Sequence, residues 1–123
     1  GCALPLQHQH ASIAAWQDET HVRENRRLYR EKFAAVLETL DGCLDVTAPD
    51  AGFYLWPRTP ISDEDFAREL YLQQQVTVLP GRYLSRNVDG ANPGARHVRM
   101  ALVAGEAETV EAARRIKEFV TRL

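Results

Sequence analysis

The run HVRMALVA, residues 97–104, sets the reading of the chain. Val98, Met100 and Leu102 occupy alternate positions, so an extended segment from His97 to Val103 turns them to one side and Arg99 to the other. A guanidinium among apolar residues is costly to desolvate, so it calls for an anionic partner or an open cleft. The plain alternative is a solvent-facing arginine on a half-exposed strand.

Upstream, Val76 to Leu79 form a second candidate strand that stops at Pro80-Gly81. Before it, GFYLWP at residues 52–57 is an aromatic and apolar run closed by proline, which predicts a short buried strand between Ala51 and Pro57. Strands this short need helices against them, and the sequence supplies four. Residues 6–16 form a mostly apolar helix, including Ala11, Ile13, Ala14 and Trp16, that calls for a surface to lie on. From Thr20 to Leu40, Val22, Tyr29, Phe33, Val36, Leu37 and Leu40 make one stripe, with Asp41-Gly42 as its stop.

Ser62 followed by Asp63, Glu64 and Asp65 marks a further helix start, expected to bury Phe66, Leu70 and Tyr71. The last helix runs from about Glu106 to Arg122, acidic first and basic later, with Val110, Ala113, Ile116 and Val120 as its stripe. The fold class is α/β: a short three-stranded sheet packed against helices and preceded by a long connecting helix. The Pro80–Arg96 connection is long for a compact domain, which directs the search for function to its surroundings.

A length of 123 residues with 45% hydrophobic content suits one domain with a packed core. Net charge −2 with both signs mixed excludes a basic nucleic-acid arm and an acidic tail. No apolar run reaches membrane-spanning length and no secretory pattern opens the chain, so a cytoplasmic setting is expected. Cys2 and Cys43 are too few for a disulfide framework and read as free thiols. The start, GCALPLQHQH without an initiator methionine, is expected to lie inside a longer protein.

Chemistry concentrates around the long connection, with Arg82, Arg86, Arg96, His97 and Arg99 close in sequence. Arginine's planar fork suits a carboxylate or phosphate. His8 and His10 lack a third ligand and predict no metal site, and His21 falls near the start of the long helix. His97 either tunes anion binding or begins a strand. No hydrolase triad or nucleotide-binding glycine loop is present.

The motifs GFYLWP, VTVLPGRYLSR, GANPG and HVRMALVA, in this order, resemble the end of the class I/II aminotransferases of pyridoxal-phosphate (PLP) fold type I, and ASIAAW resembles the segment leading into it. The resemblance covers essentially the whole chain, and within the family it points to the bacterial N-succinyldiaminopimelate aminotransferases.

It implies that residues 1–20 are the remnant of a large domain and 21–123 the small C-terminal domain of a homodimeric enzyme. It also implies that Arg99 binds the substrate's α-carboxylate, while Arg86 is a candidate contact to a second acidic group. The family's Schiff-base lysine has no counterpart here, since Lys32 and Lys117 each sit within an amphipathic helix. No catalytic or cofactor-binding residue is therefore expected in this chain, and PLP is expected to be held by the missing domain. The chain alone is expected to be inactive.

The implied activity moves an amino group between an amino acid such as N-succinyl-diaminopimelate and a 2-oxo acid such as 2-oxoglutarate, in lysine biosynthesis. A different class of function is a stand-alone anion-binding or regulatory α/β domain using the arginine cluster. A nucleic-acid module ranks third, because aromatic residues are not interleaved with the basic ones.

Overall fold

A computed structural model describes residues 3–123. The elements are α1 (Leu6–Gln17), α2 (Glu19–Leu40), β1 (Tyr54–Leu55), α3 (Asp63–Gln74), β2 (Leu79–Pro80), a 3-10 turn η1 (Gly81–Leu84), β3 (Val98–Ala101) and α4 (Glu106–Thr121). The three strands form one antiparallel sheet in the order β1-β3-β2. Tyr54 opposes Ala101, Leu55 opposes Met100, Leu79 opposes Arg99 and Pro80 opposes Val98. Side chains at opposed positions share a face, so the sheet has two unlike sides.

Leu55, Pro80, Val98 and Met100 lie on the buried side, against Val36 and Leu40 of α2, Phe66 and Leu70 of α3, and Ala113, Ile116 and Phe119 of α4. Phe66 and Phe119 meet edge to face at 5.3 Å and tie α3 to α4. Tyr54, Leu79, Arg99 and Ala101 lie on the other side, which no helix covers to burial. The alternation expected for the third strand therefore stands, although the strand is shorter than His97–Val103. The His97 N–H turns back to Gly94 O at 3.2 Å, while Leu102 N–H still donates to Phe53 O at 2.9 Å beyond the strand's end.

Helix signals in the sequence hold closely. Ser62 caps α3 by accepting the Asp65 N–H and Gly42 takes a φ of +71° after α2 ends, while Asp18, not read from the sequence, caps α2 by accepting the Thr20 N–H.

Four expectations need correction. The GFYLWP run is not a buried strand: only Leu55 and Pro57 are buried, Tyr54 and Trp56 are exposed because β1 has one side uncovered, and Phe53 is exposed just before the strand begins. Tyr71 is 52% exposed, since the buried stripe of α3 runs Asp63, Phe66, Leu70 and Tyr71 falls beside it. The α4 stripe is turned, with Thr109, Ala113, Ile116 and Phe119 buried, because Phe119 must reach Phe66. The second strand is Leu79–Pro80, not Val76–Leu79. Proline is tolerated there because β2 is an edge strand that asks no ladder N–H of it.

Candidate functional site

The 80–96 stretch is not structureless. It opens with η1, makes a Val88–Ala91 bridge across a turn in which Asp89 and Gly90 have positive φ, and closes in a turn at Asn92–Ala95. Asp63, fully buried in the first turn of α3, holds both ends. Its carboxylate accepts the backbone N–H of Arg82 at 3.1 Å and of Arg96 at 3.2 Å, as well as the Arg82 side chain at 2.9–3.1 Å. Glu64 takes the other Arg82 nitrogen at 2.9 Å and the Tyr83 hydroxyl at 3.0 Å.

Burial works against ionising Asp63, but the Arg82 side chain and the backbone N–H groups outweigh it and hold its carboxyl below the usual aspartate range. Gly81 and Gly94 then meet backbone to backbone, and Gly81 N–H donates to His97 O at 2.7 Å. The loop is thereby fastened to the residue that enters β3.

These bonds dismantle the arginine cluster read from the sequence. Arg82 is paired internally, and Arg96 donates to the Pro60 carbonyl while adopting a φ of +58°. Arg86 is exposed, with no ion-pair partner among the described residues, as a solvated surface arginine would be. Arg99 differs. It is half-buried on the open face of the sheet, its side chain has neither hydrogen bond nor ion pair among the described residues, and its guanidinium lies over the Tyr54 ring at 5.9 Å.

β3 is hydrogen-bonded on both sides, so the Arg99 backbone is held in place while its fork stays available. Trp56 and His97 stack nearly parallel at 5.9 Å, and His97 Nδ1 faces Ala95 O at 3.0 Å, which fixes the ring at the mouth of β3.

Lys32 has a structural duty: its ammonium donates to Leu102 O at 3.1 Å and Ala104 O at 2.7 Å and lies 4.7 Å from the Tyr29 ring centre. Lys117 stands exposed on α4. His21 pairs with Asp18 at 3.1 Å near the α2 start. His8 and His10 are exposed on α1, and no group of three metal-ligating residues occurs among the described residues. Cys43 is a free thiol whose Sγ donates to Leu40 O, and burial pushes its pKa up. Cys2 lies outside the described residues. No helix among the described residues is long and apolar enough to cross a membrane.

The alternation in the sequence put Arg99 on the side of β3 away from Val98 and Met100, but it gave no sign of the residues around it. Asp63 carried only the signal of a first-turn acid, and the aromatic pair Trp56–His97 carried none, because the two residues are far apart in sequence.

The fold and site define a small α/β domain that presents an arginine fork on the open face of its sheet. The family model described as "Aminotransferase class I and II" matches residues 1–116. A solved aminotransferase from Neisseria meningitidis is 48% identical with a TM-score of 0.92, covering 97% of this chain and 30% of that one. A structure described as a probable N-succinyldiaminopimelate aminotransferase from Thermus thermophilus is 37% identical with a TM-score of 0.71, covering 86% of this chain and 27% of that one. A probable aminotransferase of Mycobacterium tuberculosis is 33% identical over 117 residues, 94% of this chain and 26% of the relative.

The chain belongs to the class I and II aminotransferase family. It spans less than a third of the length of each of these relatives.

Proposed function

We propose that residues 21–123 are the small C-terminal domain, and residues 1–20 the end of a large domain, of a PLP-dependent aminotransferase. In this reading Arg99 takes the α-carboxylate of the amino-acid substrate and orients its amine toward the cofactor. The observation that carries it is the free guanidinium of Arg99 on the uncovered face of a sheet pinned from both sides. A bidentate pair there fixes both the position and the angle of the amino acid. Arg86 has the lesser role of an outer contact to a second acidic group.

When bound, PLP supplies the electron sink for amino-group transfer, and it needs a lysine amine to attach to. The residues of this chain do not fit that role. The Lys32 ammonium is committed to two carbonyls and Lys117 stands in solvent. Attachment of the cofactor is assigned to the part of the longer protein outside this chain, and this domain contributes substrate recognition. The α1 surface, on which no residue is buried, supports a covering partner, namely the large domain of a homodimeric enzyme.

The proposed reaction exchanges the amino group of N-succinyl-diaminopimelate with 2-oxoglutarate, serving lysine biosynthesis. Its support is the likeness to the Thermus protein, 37% identical over 86% of this chain. The test is kcat/KM of the full-length enzyme, with 2-oxoglutarate as acceptor, for succinylated and unsuccinylated diaminopimelate. A preference of about tenfold or more for the succinylated form is expected; equal values would remove the substrate assignment. The reading as a stand-alone anion-binding domain is the less supported one, because Arg82 and Arg96, two of the arginines it drew on, are engaged internally.

A further inference from the structure

The first half of α2 faces residues 49–53 across a cleft of about 610 Å3. Tyr29, Phe33 and Phe53 supply aromatic walls, and Arg26 and Arg30 line it from the helix. The two arginines are four residues apart, hence stacked on one helix face, where like charges repel. Their neighbour Arg27 is fully engaged by Glu24 and Glu31. Arg26 and Arg30 have no ion pair among the described residues, although Asp50 lines the same cleft. One carboxylate facing two guanidinium groups leaves the cleft net cationic.

Such a cleft fits an anionic head on an aliphatic stem, the head between two forks and the methylene groups against the rings. The cleft is connected to Arg99 only through two aromatic rings at the β1 edge. Phe53 meets Tyr54 edge to face at 5.6 Å, and Tyr54 lies under the Arg99 guanidinium at 5.9 Å. A long substrate held by Arg99 at one end would have to pass around the Tyr54 and Phe53 rings to place its far end in the cleft.

We propose that this cleft is a second carboxylate subsite, in which Arg26 and Arg30 hold the terminal carboxylate of a succinyl-type acyl group. The connection to catalysis rests on the α-carboxylate role proposed for Arg99, whereas the anion binding itself does not. The cleft then distinguishes a succinylated amino acid from its free amine, because acylation replaces an ammonium that two guanidinium groups would repel with a chain ending in a carboxylate. Arg26 and Arg30 are specificity residues in this scheme.

The test has two arms. Titration of succinate into the isotope-labelled full-length enzyme should move backbone amide resonances of residues 25–33 and 50–53, and the Arg26→Gln/Arg30→Gln variant should lose those shifts. In the full-length enzyme the same variant should lower the kcat/KM ratio of succinylated to short monocarboxylic amino acids about tenfold, mostly through KM. Arg26→Lys/Arg30→Lys, which keeps the charge without the forks, should recover part of that ratio.

Absence of succinate shifts at these positions, or a wild-type ratio in the glutamine variant, overturns the subsite and leaves the Arg99 reading standing. Succinate shifts in an enzyme inactive on every succinylated substrate overturn the specificity role and leave anion binding alone at Arg26 and Arg30.

Discussion

Asp63 and Arg82 form a side-on ion pair at 2.9–3.1 Å in which the carboxylate is fully buried and also accepts two backbone N–H groups, from Arg82 and Arg96. One acid thus closes both ends of the stretch leading into β3. Asp63→Ala leaves buried donors without an acceptor, and a loss of about 2–4 kcal/mol is expected, measured by urea unfolding.

The same carboxyl predicts an acid limit to stability. Its folded pKa is depressed, so on acidification the unfolded chain takes up the proton first. The stability it contributes is complete above the ordinary aspartate value of about 3.9 and drains as pH falls through that value toward the lower folded one. Unfolding free energy measured between about pH 6 and pH 2.5 should fall less steeply for Asp63→Asn than for the wild type.

Gly81 and Gly94 approach so closely that a Cβ on Gly81 would come 2.7 Å from His97 O and 3.1 Å from the Gly94 carbonyl carbon, and one on Gly94 would strike the Gly81 peptide. These obstacles are backbone and cannot swing away. Gly94→Ala should cost about 2 kcal/mol or more, seen as a lowered thermal midpoint.

Arg99→Lys in the full-length enzyme keeps the charge and loses the fork. A fall of about 2–4 kcal/mol in transition-state stabilisation is expected in kcat/KM for the amino acid. Cofactor binding, read from absorbance, should barely change. An unaltered kcat/KM would return Arg99 to the status of a surface residue.

Borohydride treatment of the chain with PLP should trap no stable adduct at a single lysine. Lys32 is held by Leu102 O and Ala104 O, so Lys32→Met should instead lower stability by about 1–2 kcal/mol through the loss of two charge-assisted bonds. Selective labelling of one lysine would contradict this.

Leu4, Leu6, Ile13 and Trp16 are 53–85% exposed along the first segment. Hydrophobic-dye binding and concentration-dependent association should both drop when residues 1–17 are removed, with the thermal midpoint little changed, since α1 buries nothing. A compact, dye-free monomer before truncation would argue against a missing partner.

Local signals in the sequence determined the helices and the inward side of β3. The Ser62 cap, the 3.6-residue stripe of α2 and the Val98–Met100 alternation each depend on neighbours within a few positions. Arg99 was legible for the same reason, as a charge out of place in an apolar alternation.

Tertiary structure alone decided the rest. Periodicity cannot say whether a strand has one covered side or two, so GFYLWP was read as buried although only Leu55 and Pro57 are. Nor can it pair Asp63 with residues nineteen and thirty-three positions away, or bring Phe53 opposite Arg26 and Arg30. Those relationships arise when the sheet packs on its helices, because burial and close approach depend on where distant segments come to rest in space.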